Sequence, residues 1–217
     1  MTTPTTTALP PTRTALLVLD YQNGILPILD KDEAEALLDR MHTVTGAVRA
    51  RNITVAYVHI GLTDAEWDAV PDTNASFTMA ARNHRIRPED EAAAITDRLA
   101  PQDGDIVVRK LRFGAMSTTD LDRQLRERGI DTLIVTGVTT SGVVLSTVLD
   151  AADRDYKIYL LSDGVTDPDP EVHRVLLDKV FPSRAQLIDT PELLTLLELA
   201  CDHSDPVPYR PDRGAQS

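Results

Sequence analysis

Two residues of opposite charge each close a short apolar run: Asp20 after Leu16-Leu17-Val18-Leu19, and Lys110 after Ile106-Val107-Val108-Arg109. A carboxyl group at the end of a buried strand loses water, which raises its pKa unless a cation stands close. The sequence has four lysines against eighteen arginines, so a lysine in this place is not background usage. Facing one cleft, the pair would keep the carboxylate ionised and set a positive charge beside developing anions. Taken alone, each residue has a plainer reading as a helix cap or half of a surface ion pair. A third stretch is Gly137-Val138-Thr139-Thr140-Ser141-Gly142-Val143-Val144-Leu145-Ser146-Thr147. A glycine after a strand, then small polar residues opening a helix, presents backbone N–H groups that stabilise anions and oxyanions. The plainer reading is an ordinary strand–helix turn with a Ser or Thr N-cap.

The elements that must position these groups are legible as alternating patterns. Continuous apolar runs, expected of strands buried on both faces, occupy Ala15 to Leu19, Ile53 to Ile60, Ile106 to Val108, Thr132 to Thr136, Ile158 to Leu161 and Ala185 to Ile188. Helical spacing fills Asp32 to Arg51, Thr119 to Arg128 with Gly129 as C-cap, Ser141 to Arg154, Pro170 to Val180 and Pro191 to Leu199. This alternation predicts an α/β fold, a three-layer α/β/α sandwich around a six-stranded, mainly parallel, doubly wound, Rossmann-like sheet. Ligands bind such sheets beyond the C-terminal strand ends, which directs attention to Asp20, Ile60-Gly61, Lys110, the Gly137-Val138-Thr139 turn and Asp163. The irregular stretch from Gly61 to Pro101 is expected to build a pocket wall or a subunit contact. It supplies Trp67, Asn74, Phe77, Met79 and Arg82, which with Tyr21, Gln22 and Phe113 are the expected substrate-pocket residues.

Length and composition set the outer bounds. The 217 residues fit one domain over residues 13–200, between a flexible N-terminal arm at 1–12 and a tail at 201–217. A net charge of −12 argues against nucleic acid as a partner. No apolar run is long enough to span a membrane, and the Thr/Pro-rich start lacks the pattern of a secretory signal, so a cytoplasmic location is expected. The single cysteine, Cys201, excludes a disulfide within the chain and reads as an ordinary small residue near the last helix. No G-x-G-x-x-G follows the first strand and no P-loop occurs, which disfavours nucleotide binding. His59 reads as a core or edge histidine and His84 as a surface or rim residue. No metal and no cofactor is expected.

Together, three segments resemble the isochorismatase-like hydrolases, also called the cysteine hydrolase superfamily. They are Leu16 to Asn23, Val107 to Met116, and Gly129 to Val138 continuing through Asp153, within a likeness that covers roughly residues 13 to 190. The resemblance implies Asp20 as acid/base and Lys110 as its electrostatic partner. It implies oxyanion contacts from the backbone of Val138, Thr139, Gly142 and Val143, with a cis peptide at Val138–Thr139. The family's nucleophilic cysteine falls on Val143, or on Gly142 if the alignment slips by one, and neither side chain can attack anything. A covalent thioester route is thereby put in doubt. Isochorismatases proper also lack that cysteine and hydrolyse a vinyl ether by general acid catalysis, so a non-covalent hydrolase of a small, anionic metabolite is expected. The lysine would lower the Asp20 pKa where acid catalysis favours a raised one, so burial and substrate must win that contest. Two alternatives stand beside this reading: an inactive module binding a metabolite or a protein, and Thr140, Ser141 or Ser146 as a substitute nucleophile. The resemblance also implies a homodimer or homotetramer.

Overall fold

A computed structural model describes residues 9–83 and 85–202. Six strands form one sheet, and every pairing in it is parallel: β1 (Thr14–Leu19), β2 (Thr54–Ile60), β3 (Ile106–Lys110), β4 (Thr132–Val138), β5 (Lys157–Thr166) and β6 (Gln186–Ile188). The order is β3-β2-β1-β4-β5-β6, so the winding reverses between β1 and β4. The strands read as unbroken apolar runs because both faces are covered. Ala15, Leu17 and Leu19 enter one core with Leu133 and Val135 of β4. Leu16 and Val18 enter the other with Ile134.

Helices cover each face. The first core is closed by α4 (Leu121–Glu127) and α5 (Leu145–Asp153), through Leu121, Leu125 and Val148. The second is closed by α1 (Lys31–Arg49) and, further along the chain, Leu193, Leu196 and Leu197. Along α1 the buried residues Leu37, Leu38, Met41, Val44 and Val48 keep the i, i+3, i+4, i+7 spacing of a single stripe. Asp30 caps its start by accepting from the Asp32 N–H (2.9 Å), which uses one of the orphan donors of the first turn. At the end of α4, Gly129 takes φ +72, the left-handed conformation a C-capping glycine adopts at little cost.

Three places differ from the sequence expectation. The Gly61 to Pro101 stretch contains two helices, α2 (Asp64–Asp68) and α3 (Ala75–Asn83), whose Trp67 and Phe77 form a satellite core with Leu62. The helix expected from Ser141 opens one residue earlier with a π turn, Thr140–Val144, before α5. Strand β5 runs on to Thr166 because a register shift between Val135 and Gly137 lets it keep pairing with β4 beyond Leu161. The last two helices are α6 (Pro170–Val175) and α7 (Thr190–Asp202). Near the amino end, Leu9 is buried in the α1/α7 core and Pro11–Arg13 forms a turn, so packing begins before residue 13. The remainder of the expected arm and tail, and His84, lie outside the described residues, as does the side chain of Cys201. No described helix is long and apolar enough to cross a membrane.

Candidate active site

Four parallel strands end side by side, and the last residues of β2, β3 and β4, with the residue after β1, meet at one cavity of about 800 Å³. Asp20 leaves β1 with φ +59, and its N–H stays bonded to Val58 O of β2 (2.9 Å). Lys110 ends β3 in register with Ile60. Their side chains close over the end of β2, with Lys110 Nζ 2.9 Å from Asp20 Oδ2, at 1% and 8% exposure. Lys110 Nζ also donates to Arg112 O (3.1 Å). The second carboxyl oxygen, Asp20 Oδ1, is buried and has no hydrogen-bond partner among the described residues. Burial pushes the Asp20 carboxyl above its ordinary 3.8, and the charge and hydrogen bond of Lys110 pull it only part of the way back.

The turn after β4 forms the neighbouring wall. The Val138–Thr139 peptide is cis. Thr139 Oγ1 accepts from the Gly142 N–H (3.1 Å), and buried Asp167 accepts from the Ser141 N–H through Oδ2 (2.8 Å). Of the backbone groups expected to face an oxyanion, Gly142 therefore already spends its donor inside the turn. The glycine is needed there for space: a Cβ would stand 2.8 Å from Thr139 Oγ1. Thr140 is fully buried with its hydroxyl bonded to His173 Nδ1 (2.9 Å), and neither it nor Ser141 nor Ser146 lines the cavity. Val143 does line it, in the place the resemblance gives to a cysteine.

The wall adjoining this turn is aromatic, with Phe113 packed beside Gly142. Trp67 and Phe77 stand 6.3 Å apart between ring centres, and Phe77 meets Phe113 edge to face at 5.0 Å. The helix carrying Trp67 is held from behind by Arg109, which grips both oxygens of Glu66 (2.8 and 3.1 Å) and donates to Gly61 O (2.6 Å). Glu66 also completes a capping box with Thr63. The Arg109 hydrogen bonds, with the Thr63 N–H, hold its carboxyl down to about 2.

Asp20, Lys110, Trp67, Phe77, Phe113, Val138, Thr139, Gly142 and Val143 are thus brought around one space. Tyr21, Gln22, Asn74 and Arg82 are not. The left-handed turn at Asp20 carries the chain inward, so the Tyr21 hydroxyl is buried on Gly164 O (2.7 Å). Gln22 is consumed as a clasp, giving Nε2 to Ile60 O (2.8 Å) and Ala93 O (2.9 Å) and accepting the Ile60 N–H (2.7 Å). Asn74 accepts from the Phe77 N–H at the start of α3 (3.2 Å), and Arg82 is exposed on that helix. Met79, on the same helix, is 65% exposed and outside the lining. The lining also includes Ile25, Pro27 and Ile28 from the β1–α1 loop, and Arg85 and Ile86 after α3. The signal that could have found the first three is a cluster of apolar residues at the winding switch, between the first strand and the first long helix, where only a short turn at Leu26–Ile28 forms. His59 carries a buried Nδ1 with no partner among the described residues, and burial lowers its pKa. Among the described residues no group of three or more His, Cys, Asp or Glu is arranged to hold a metal ion.

Comparison with known proteins places this geometry among relatives. The isochorismatase domain matches residues 14–192. The isochorismatase family protein YwoC of Bacillus subtilis (strain 168) is 31% identical over 182 residues, 84% of this chain and 93% of that protein. The ureidoacrylate amidohydrolase RutB of Methylobacterium radiotolerans is 31% identical over 193 residues, 80% of this chain and 75% of that one. Among solved structures, an isochorismatase family protein from Burkholderia thailandensis superposes with a TM-score of 0.75 at 29% identity, covering 88% of this chain and 98% of its own.

Proposed function

Because the chain belongs to the isochorismatase family, we propose that it is a hydrolase of a small molecule in which water, not a protein thiol, attacks. The observation that carries the reading is the buried Asp20–Lys110 pair at 2.9 Å, with one carboxyl oxygen left unpartnered beside a cavity wall made by Val143. Asp20 is the acid/base: its raised pKa gives it a proton to lend and a carboxylate to take one back. Lys110 is the electrostatic partner that keeps the ionised form accessible and stands beside the developing negative charge. For an amide or ester, Asp20 removes a proton from water as its oxygen adds to the carbonyl carbon. It then returns the proton to the departing nitrogen or oxygen. For a vinyl ether, Asp20 protonates the alkene carbon, water adds to the oxocarbenium carbon, and the proton lost from that water restores the acid. The hemiketal so formed then breaks its ether C–O bond as its hydroxyl proton passes to the leaving oxygen, giving a carbonyl compound and an alcohol. Neither sequence needs Cys201 or a metal-bound intermediate. The N–H groups of the 138–143 turn are the candidate oxyanion contacts, with Gly142 available only if Thr139 releases it.

The test is the isosteric change Asp20→Asn, assayed against a panel of amides, esters and enol ethers. A loss of turnover of roughly 10³-fold with an unchanged fold is expected, the range for removing an acid/base. Activity at the wild-type level would remove Asp20 from the mechanism. The Val143 wall also favours a second reading, a binding module without turnover. Saturable ligand binding with no product from any member of the panel is its signature.

A further inference from the structure

We propose that the ligand of this cavity is a neutral molecule with an apolar body the size of a substituted ring or larger, whose one polar, hydrolysable group rests on Asp20 and Lys110. Only the fate of that polar group depends on the hydrolytic reading above; what the walls admit does not. This narrows the sequence expectation of an anionic metabolite, and the reason is where the charges go.

Among the described residues lining the cavity, three carry charge: Asp20, Lys110 and Arg85. The Lys110 ammonium is turned onto the Asp20 carboxyl group at 2.9 Å. Arg85 is already occupied, since its Nη2 meets Asp68 Oδ1 at 2.9 Å, its Nε donates to Ala81 O at 2.9 Å, and Asp64 stands 3.8 Å from Nη1. Arg112, outside the lining, is stacked on Phe77 at 5.1 Å and donates to Leu111 O at 2.6 Å. A carboxylate on the ligand body would lose its water against aromatic and aliphatic walls. Of the described cations beside it, Lys110 and Arg85 already face carboxyl groups, while Arg112 is held on Leu111 O and the Phe77 ring. An apolar body meets the reverse situation. Trp67, Phe77 and Phe113 line the cavity with Ile25 and Ile28, and Phe113 and Ile28 remain 43% and 46% exposed, large apolar surfaces that a ligand would cover. The volume of about 800 Å³ is ample for such a molecule.

Trp67 is the chain's single tryptophan, so its fluorescence reports directly on occupancy. The probes are para-tert-butylbenzamide and para-carbamoylbenzoate, which share the amide and ring and differ in an apolar against an anionic far end. Saturable change with the first at a Kd at least about tenfold lower than with the second is expected, a factor that burial of one branched alkyl group supplies. Asp20→Asn should keep that preference, while Phe77→Ala should erase most of it. Phe113→Ala, at a half-exposed ring, provides the same test without risk to the fold. Equal or tighter binding of the carboxylate, or a preference that survives loss of both rings, would overturn the proposal. Ammonia release is followed separately. A preserved preference with no release supports the ligand class while removing such amides from the hydrolytic reading, which the panel of esters and enol ethers then decides.

Discussion

Arg109 and Lys110 are consecutive on β3, and each holds a carboxylate at almost the same distance, 2.8 Å to Glu66 and 2.9 Å to Asp20. The two acids nevertheless move in opposite directions. Glu66 has a side chain 29% exposed, accepts two guanidinium hydrogen bonds and a backbone N–H, and is held down to about 2. Asp20, at 8%, has one ammonium and, among the described residues, one unpartnered oxygen, and burial pushes it up. Distance to a cation therefore does not decide the behaviour of a carboxyl group; the balance between desolvation and the number of donors does. The Glu66 pair keeps its charge down to about pH 2, and burial tips the Asp20 carboxyl the other way.

The comparison can be broken most forcefully at Lys110. Lys110→Met keeps the length and removes the charge, and turnover should fall by roughly 10²-fold as the electrostatic partner disappears. The pH at which the remaining activity changes should also move upward, because the one influence lowering the Asp20 pKa has gone. A pH–rate profile checks both, and an unshifted limb counts against the coupling. The same profile distinguishes roles: activity rising with pH through the Asp20 transition marks a base, and activity falling marks an acid.

Smaller effects are expected at the wall. Glu66→Gln frees Arg109 from an ionic partner, so KM should rise by a few-fold with kcat nearly constant, since the charge being lost acts on the placement of Trp67. A matching loss in kcat would mean that the clasp reaches the reacting atoms. Stability sharpens the contrast with the least signal. A carboxyl lowered on folding stabilises above its ordinary value of 4.5, and that contribution disappears as pH falls through about 2. Wild type should thus exceed Glu66→Gln by about 1 kcal/mol or less at neutral pH, and the two should converge near pH 2 in denaturant titrations. Asp20 has the opposite sign, its contribution being greatest below 3.8 and lost as pH rises through the raised value.

The sheet was readable from sequence because strands covered on both faces cannot alternate, and each of the six runs lies within or against an observed strand. The half of β5 beyond Leu161 was not, since Ser162-Asp163-Gly164 looks like a turn. Its polar groups are consumed locally: Ser162 Oγ bonds Ile188 O, and Asp163 accepts from the backbone and hydroxyl of Thr190. Asp20 and Lys110 were found because charge at the end of an apolar run is costly and needs a reason. Tyr21 and Gln22 were misplaced for a related cause. Being next to Asp20 in sequence suggested the same cavity, but a single left-handed residue sends the following side chains into the core. The occupied Gly142 N–H was invisible, because only the turn's three-dimensional closure brings Thr139 Oγ1 to it.

Asp20 is proposed as a proton-exchanging group, made so by burial despite its cation. Carbon-13 NMR of aspartate-labelled protein, with Asp20→Asn identifying the resonance, follows that carboxyl through pH. A midpoint above the ordinary 3.8, rising further in Lys110→Met, is the predicted result. A midpoint at or below 3.8 would contradict it, and would make the Asp20–Lys110 pair an ion pair like that of Glu66.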